Sequence, residues 1–284
     1  VSSLLTSQVA ALQSRDLGAI QSSVVSAMTT AQVNVLSTQQ VVGWTTAQIR
    51  ALTASQVAAL TTQALAQLTT EQAATLSSSQ LNAWTAAQFA AMTTAQAQAI
   101  PVATLKNIAT ATLAGLTTAQ VQALTTAQVQ GLSFNQVASL STEQFSALEL
   151  VDVASLTTQQ SGAISTDELT ALSTAQVEVL TSGVVASLSS QQLRSLLTQQ
   201  VVALTTQQTS ALSSTQISTL QTAQVGAFET RDLAILSTLQ LAGLTTAQVA
   251  ALTTGQVFAL STDQWSSLSA TQLPAVTTQA IQAL

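Results

Sequence analysis

Residues 244–260 read Leu244-Thr-Thr-Ala-Gln-Val-Ala-Ala-Leu252-Thr-Thr-Gly-Gln-Val-Phe-Ala-Leu260, which is one octapeptide written twice. Stepping by eight residues from Leu4 to Leu284 meets 36 positions, and every one is apolar. We call these positions the leucine phase. A second apolar position, the valine phase, lies five residues after each of them, as at Val249 and Val257. An unbroken short period of this kind indicates a repeat protein.

The octapeptide predicts a helix that restarts in every repeat. One continuous helix would advance by about 800° over eight residues and overshoot two turns by about 80°, so its apolar stripe would wind around the cylinder. The sequence also contains a start signal, because Ser or Thr stands three residues before Gln, as in Thr245 and Gln248, which is the spacing of a capping box. Of the 35 cap positions from residue 5 to residue 277, 26 are Ser or Thr.

A strand interpretation fails, because apolar spacings of five and three do not alternate and the chain has only 9 Gly and 2 Pro for turns. No single octapeptide buries enough apolar surface to fold alone, so the repeats must stack. We therefore predict an all-α solenoid, a superhelical tube of one-to-two-turn helices with one helix per repeat. Handedness and the number of helices per coil stay open. The array is predicted to form one domain over residues 1–284.

Some repeats depart from the pattern. Pro101 occupies a cap position, and residues 101–115 lose the Thr and Gln signature while keeping the apolar phase, which predicts an irregular coil or a bend. Pro274 removes a backbone donor inside a predicted helix. Phe134 and Leu150 replace the outward second Thr and are predicted to be exposed.

Four acidic residues stand where the repeat has Gln. We expect their carboxylates to accept hydrogen bonds from amides at the helix start, so they are structural rather than catalytic. The four are Asp16, Asp152, Glu168 and Asp232.

The composition argues against most catalytic mechanisms and metal sites. Only 6% of the residues are charged, and the chain has no His, Cys or Tyr, which removes the usual proton shuttles, thiol nucleophiles and soft metal ligands. We predict that the protein is not an enzyme and binds no cofactor or metal. With 5 basic and 11 acidic residues, its net charge of −6 disfavours nucleic acid as a partner. No apolar run is long enough to insert across a membrane.

Both ends of the sequence look like interior coils, because their apolar phases continue without a polar cap. We predict that each end stacks on something like itself, either a second copy in a head-to-tail homopolymer or flanking repeats of a longer chain. The residues expected to make this contact are Leu4, Leu5, Val9, Leu273, Val276, Ile281 and Leu284.

The second Thr of each repeat, as at Thr46 and Thr246, is not needed for capping and would form a regular row of hydroxyl groups. It could simply be a soluble helix start. The functional alternatives are subunit packing, O-glycan attachment, or recognition of ice, glycan or a surface by a binding module.

The stretches Ser37-Thr-Gln-Gln-Val-Val-Gly-Trp44 and Thr198-Gln-Gln-Val-Val-Ala-Leu204 resemble the opening helix of transcription activator-like effector repeats. Those repeats are longer, contain a glycine-bearing base-reading loop and belong to basic proteins, so this resemblance is set aside. The Leu-Thr-Thr-Ala-Gln-Val-Ala-Ala-Leu pattern of residues 244–252 resembles tracts in very large, secreted, adhesin-like bacterial surface proteins. That resemblance implies structural or adhesive use outside the cell or on its surface and assigns no functional residues. The unbroken phase, the low charge and the lack of catalytic residue types favour a structural protein, part of a filament, sheath or adhesin stalk.

Overall fold

The structure, a computed structural model, describes residues 3–282. These residues fall into two compact units, the first ending at Leu148 and the second starting at Glu149. Within residues 3–282 there are 34 α-helices of four to six residues, one 3₁₀-helix and no strand. The predicted all-α repeat solenoid is confirmed. The eight-residue phase runs through both units, and the single array over residues 1–284 stays a prediction.

The helices of the first unit are Thr6–Ala10 (α1), Ser14–Ala19 (α2), Ser22–Val25 (α3), Thr30–Asn34 (α4), Thr38–Val42 (α5), Thr46–Ala51 (α6), Ala54–Ala58 (α7), Thr62–Ala66 (α8), Thr70–Ala74 (α9), Ser78–Leu81 (α10), Ala86–Ala90 (α11), Thr94–Ala99 (α12), Val102–Leu105 (α13), Thr110–Leu113 (α14), Thr118–Gln122 (α15), Thr126–Gly131 (α16), Phe134–Val137 (α17) and Thr142–Ser146 (α18).

The helices of the second unit are Leu150–Ser155 (α19), Thr158–Ser161 (α20), Thr166–Ala171 (α21), Thr174–Val179 (α22), Ser182–Ser187 (α23), Ser190–Ser195 (α24), Thr198–Val202 (α25), Thr206–Ala211 (α26), Ser214–Thr219 (α27), Thr222–Ala227 (α28), Thr230–Ile235 (α29), Thr238–Ala242 (α30), Thr246–Ala250 (α31), Thr254–Phe258 (α32), Thr262–Ser267 (α33) and Thr278–Gln282 (α34), with the 3₁₀-helix at Leu273–Ala275.

Each typical helix starts at the predicted capping box. Thr245 has extended backbone angles (φ −73°, ψ 159°), and its hydroxyl accepts a hydrogen bond from the Gln248 backbone N–H at 3.2 Å. The Gln248 side-chain Oε1 in turn accepts from the Thr245 N–H at 2.7 Å. The two bonds satisfy two backbone donors that a helix start would otherwise leave unpaired.

Successive helices stack into coils within each unit. In the first unit α4 packs against α1 and α7, and in the second α26 packs against α23 and α29, so each helix contacts those three positions away. Side-chain bonds reach one helix further, because Gln40 of α5 bonds to the carbonyls of Val9 and Ala10 in α1. One coil therefore takes between three and four helices, a number that the sequence left open.

The core lies between the coils and is formed by the two apolar phases. Valine-phase side chains such as Phe89 and Leu113 are fully buried, and leucine-phase side chains such as Leu36 are buried to about the same degree. The residue before each leucine-phase position is usually small, because coils approach closely there. A Cβ on Gly243 would lie 2.8 Å from the Ser214 Cβ, a distance at which the neighbour must shift.

The irregular repeats keep their phase. In residues 101–115, α13 and α14 start one residue after Pro101 and Ala109, which occupy cap positions without a side-chain cap bond. Pro274 has the expected effect, because residues 273–275 form a 3₁₀-helix where the repeat predicts an α-helix. Phe134 and Leu150 are 51% and 46% exposed, as predicted.

Candidate functional site

The main polar feature of residues 3–282 is the Gln of the typical repeat, which is buried in most coils. Gln248 caps its own helix through Oε1, as described, and its Nε2 donates to the backbone carbonyls of Ile217 at 2.8 Å and Leu220 at 2.7 Å. Ile217 and Leu220 belong to the preceding coil. One amide group thus caps a helix with its acceptor and joins two coils with its donor.

The same bond recurs through both units. In each case Nε2 donates to the leucine-phase carbonyl 28 residues earlier, and we call this series the amide ladder. Its members are Gln32, Gln40, Gln48, Gln56, Gln72, Gln80, Gln88, Gln96, Gln120, Gln128, Gln136 and Gln144 in the first unit, and Gln192, Gln200, Gln208, Gln216, Gln224, Gln240, Gln248, Gln256, Gln264 and Gln272 in the second.

The capping-box spacing predicts only the cap that this Gln makes and does not predict its bond between coils. A signal was present, because a capping box accepts Glu as readily as Gln. Of the 35 positions from residue 8 to residue 280 that share this phase, 25 are Gln and only one, Glu168, is Glu. A carboxylate has no N–H for the carbonyls of the neighbouring coil, so the preference for Gln reflects the donor.

The acidic substitutions in this phase differ in how they bond. Glu168 behaves as predicted, because its Oε2 accepts from the Ser165 backbone N–H at 2.6 Å. Asp232 does not behave in this way. Its side chain is shorter and fully buried, and neither of its carboxyl oxygens forms a hydrogen bond of normal geometry. Burial raises the pKa of both carboxyl groups above their ordinary values.

The residues predicted for self-association occupy two different environments. Leu5, Leu273 and Ile281 are exposed by 67%, 43% and 50%, and Leu4 is half-buried. Val9 and Val276 are buried within their own units. Leu284 lies outside the described residues.

The row of second Thr residues lies on the outer surface, and all its quoted members are exposed or half-buried. None of these hydroxyl groups forms a hydrogen bond with another of the residues 3–282, in contrast to the cap hydroxyls. The members are Thr30, Thr46, Thr62, Thr70, Thr118, Thr126, Thr246 and Thr254.

A metal-binding cluster and a membrane-spanning helix are both absent from residues 3–282. No group of three or more acidic side chains is arranged to hold a metal ion in this part of the chain. None of the helices described is both long enough and apolar enough to cross a membrane.

Comparison with known proteins agrees with the repeat. The family model described as the ALTTAQ repeat matches residues 9–46 and 225–262, one range in each unit. No curated protein matches the chain. The two matches confirm that the chain carries tracts of a known repeat family, the ALTTAQ repeat, over these residues.

Proposed function

We propose that the chain is a non-catalytic structural protein, a subunit or segment of an extracellular filament, sheath or adhesin stalk that lengthens by stacking coil on coil. The observation that carries this proposal is a complementarity between two surfaces. One lies on the first coil of the first unit and the other on the last coil of the second unit. Together they supply the two halves of the interface that joins coils inside each unit.

The first surface, which we call the donor face, consists of Gln8, Leu12 and Ile20. Inside the units the equivalent Gln and leucine-phase residues are buried by the preceding coil, as at Gln40 and Leu36. On the donor face Gln8 is exposed and the two apolar side chains are half-buried. The Gln8 Oε1 still accepts from the Leu5 N–H at 2.8 Å, so its side chain is held in the capping position.

The second surface, the acceptor face, consists of Trp265, Leu273 and Ile281 with the backbone carbonyl of Leu260. Valine-phase side chains are buried throughout the interior, but here Trp265 is half-buried and the other two are exposed. No residue among 3–282 donates a hydrogen bond to the Leu260 carbonyl, whose equivalents in earlier coils accept from the amide ladder.

Contact between a donor face and an acceptor face is heterologous, so it propagates rather than closing into a pair. The adjoining coil belongs either to a second copy or to neighbouring repeats of the same polypeptide. The low charge of the chain opposes such stacking little. The extracellular location is supported by the resemblance of the repeat to tracts in secreted bacterial surface proteins.

The test uses one variant of each face. Ile20→Asp disrupts the donor face and Ile281→Asp the acceptor face, while Leu239→Asp changes an exposed apolar residue outside both. In sedimentation experiments over a wide concentration range we expect the unmodified chain and the Leu239 variant to form long oligomers. Each face variant alone should stay monomeric, and an equimolar mixture should form dimers and stop there.

The mixture is the decisive sample. The donor-face variant keeps its acceptor face and the acceptor-face variant keeps its donor face, so one heterologous contact remains possible. An unmodified chain that stays monomeric at every concentration would overturn the stacking proposal. Face variants that associate as well as the unmodified chain would also overturn it.

The free hydroxyl groups favour a second candidate, a binding module for ice, a glycan or a surface. A regular row of unpaired hydroxyls on a repeating scaffold can order water or accept hydrogen bonds from a ligand. Replacing the second Thr by Val in four neighbouring repeats should abolish ice shaping or glycan binding while leaving oligomer formation intact. Absence of both binding activities in the unmodified chain would remove this candidate.

A further inference from the structure

Asp232 is a buried acidic side chain of the second unit whose carboxyl group lacks hydrogen-bond donors of normal geometry. It is fully buried, and neither carboxyl oxygen has a hydrogen-bond partner of normal geometry. An ionised carboxylate in such a place has a large desolvation cost unless donors surround it. The groups that surround Asp232 follow from the register of the amide ladder.

The ladder on either side of Asp232 is regular. Gln224 donates to the carbonyls of Leu193 and Leu196, and Gln240 donates to those of Ser210 and Leu212. By the same spacing Asp232 stands at the carbonyls of Val201 and Leu204. Its surroundings in the preceding coil are therefore acceptors, and an ionised carboxylate is itself only an acceptor.

The charged groups near Asp232 lie on its own helix. Arg231 contacts Glu229 at 2.5 Å from Nε to Oε2, while its Nε lies 3.9 Å from Asp232 Oδ1. The Arg231 side chain is 64% exposed, so solvent screens its charge. The packed helices α26 and α32, and α25 in the preceding coil, contain no Asp, Glu, Lys, Arg or His. Helix α33 of the following coil, whose Gln264 bonds to Leu233, contains one such residue, the exposed Asp263.

We propose that Asp232 makes this coil junction sensitive to pH. As a neutral acid, its carboxyl group donates a hydrogen bond to a carbonyl of the preceding coil, as the Gln amide does elsewhere. As a carboxylate it receives no hydrogen bond from the preceding coil, which presents only carbonyl oxygens to it, and the packing of α29 on that coil weakens. Acid therefore strengthens this junction and alkali loosens it.

The sign follows from proton linkage. Burial, together with the Glu229 charge, raises the pKa of Asp232 in the folded state, although Arg231 and the Glu229 backbone N–H act in the opposite direction. A raised carboxyl pKa means that the folded state holds the proton more tightly than the unfolded state. The stabilisation is complete below the ordinary Asp pKa and is lost as the pH rises through the folded-state value.

The experiment compares the chain with Asp232→Gln, which restores the amide of the repeat, by chemical unfolding between pH 4 and pH 8.5. The ratio of the unfolding constant of the unmodified chain to that of D232Q is expected to rise with pH, by up to about tenfold per unit within the titration range. The matched control is Asp16→Gln, because Asp16 shares the phase and the preceding Arg but is exposed. Its ratio should stay constant.

A second measurement keeps the proposal testable if D232Q folds poorly. Carbon NMR of the Asp232 carboxyl in the unmodified chain reports its titration directly, and Asp232→Asn serves as the assignment control. A folded-state pKa above the ordinary Asp value is the expected result. A pKa at or below the ordinary Asp value, or a ratio of unfolding constants that does not vary with pH, would overturn the proposal.

Discussion

Two stretches of the first unit, residues 101–115 and residues 117–144, follow the same period but differ in their capping residues and ladder Gln residues. The second stretch has a complete capping box at each of its four helices, α15 to α18. The first has none, because Pro101 and Ala109 occupy the cap positions and Thr104 and Thr112 replace the ladder Gln. Both stretches nevertheless form helices in phase.

The comparison separates two contributions to the fold. Burial of the apolar phases suffices to place a helix, since Leu105 and Leu113 are buried as completely as Val121 and Val129. The polar pairs add hydrogen bonds at the helix start and between coils. They do not set helix length, because α17 has a complete box but four residues, like α13 and α14.

Residues 101–115 also form hydrogen bonds with both neighbouring coils. Gln136 of the following coil donates to the carbonyls of Leu105 at 2.8 Å and Ile108 at 2.9 Å. Asn82 of the preceding coil accepts from the Ala109 N–H at 2.8 Å. A repeat can therefore form its helix without a Thr and Gln capping box when the adjoining coils supply hydrogen bonds.

The largest expected effect comes from core truncation, which should be similar in the two kinds of repeat. Leu113→Ala in α14 and Leu81→Ala in α10 each remove a fully buried Leu from a four-residue helix, but only α10 has a capping box. We expect each variant to lower the free energy of unfolding by about 2–5 kcal/mol. Denaturant titration checks this. A loss at Leu113 far below that at Leu81 would show that burial is not what places α14.

A smaller effect should follow when a ladder amide becomes a carboxylate. Gln136→Glu keeps the acceptor that caps α17 but loses the donor to Leu105 and Ile108, so unfolding free energy should fall by about 2–3 kcal/mol at neutral pH. The loss should shrink on acidification, because burial raises the pKa of such a carboxyl, as it does at Glu168.

The control for this substitution is Gln8→Glu, with both substitutions measured in the acceptor-face variant Ile281→Asp so that no adjoining copy stacks on Gln8. Gln8 caps α1 in the same way but is exposed, and no described coil precedes it. Its replacement should change stability by less than about 0.5 kcal/mol. Equal losses at Gln8 and Gln136 would mean that capping, and not the bond between coils, explains the preference for Gln.

Much of this fold can be predicted from sequence because its signals are local. The partners of a capping box lie three residues apart, so Thr245 and Gln248 define a helix start without knowledge of the fold. The second bond of Gln248 escaped prediction because its partner, the Leu220 carbonyl, lies 28 residues away and its position depends on the number of helices per coil.

The smallest expected effect tests whether Asn82 supports residues 101–115. Its Oδ1 accepts from the Ala109 N–H, and its Nδ2 donates to the Asn107 carbonyl at 3.3 Å. Asn82→Ala should lower the free energy of unfolding by about 1 kcal/mol, since the bonds are exposed to solvent. Asn34→Ala is the matched control, because Asn34 makes only the carbonyl bond, to Ala59 at 3.0 Å, and its loss should be smaller.

A double-mutant cycle then identifies what Asn82 replaces. In the regular repeat the Ala109 N–H would bond to a Gln at residue 112, and the amide of that Gln would reach the Leu81 and Trp84 carbonyls by the spacing of the ladder. Thr112→Gln should therefore restore the stability lost in Asn82→Ala, with a coupling of about 0.5–1 kcal/mol measured by denaturant titration. Strictly additive effects of the two substitutions would show that Asn82 and the ladder amide act on different groups, because only a shared backbone donor makes one substitution compensate for the other.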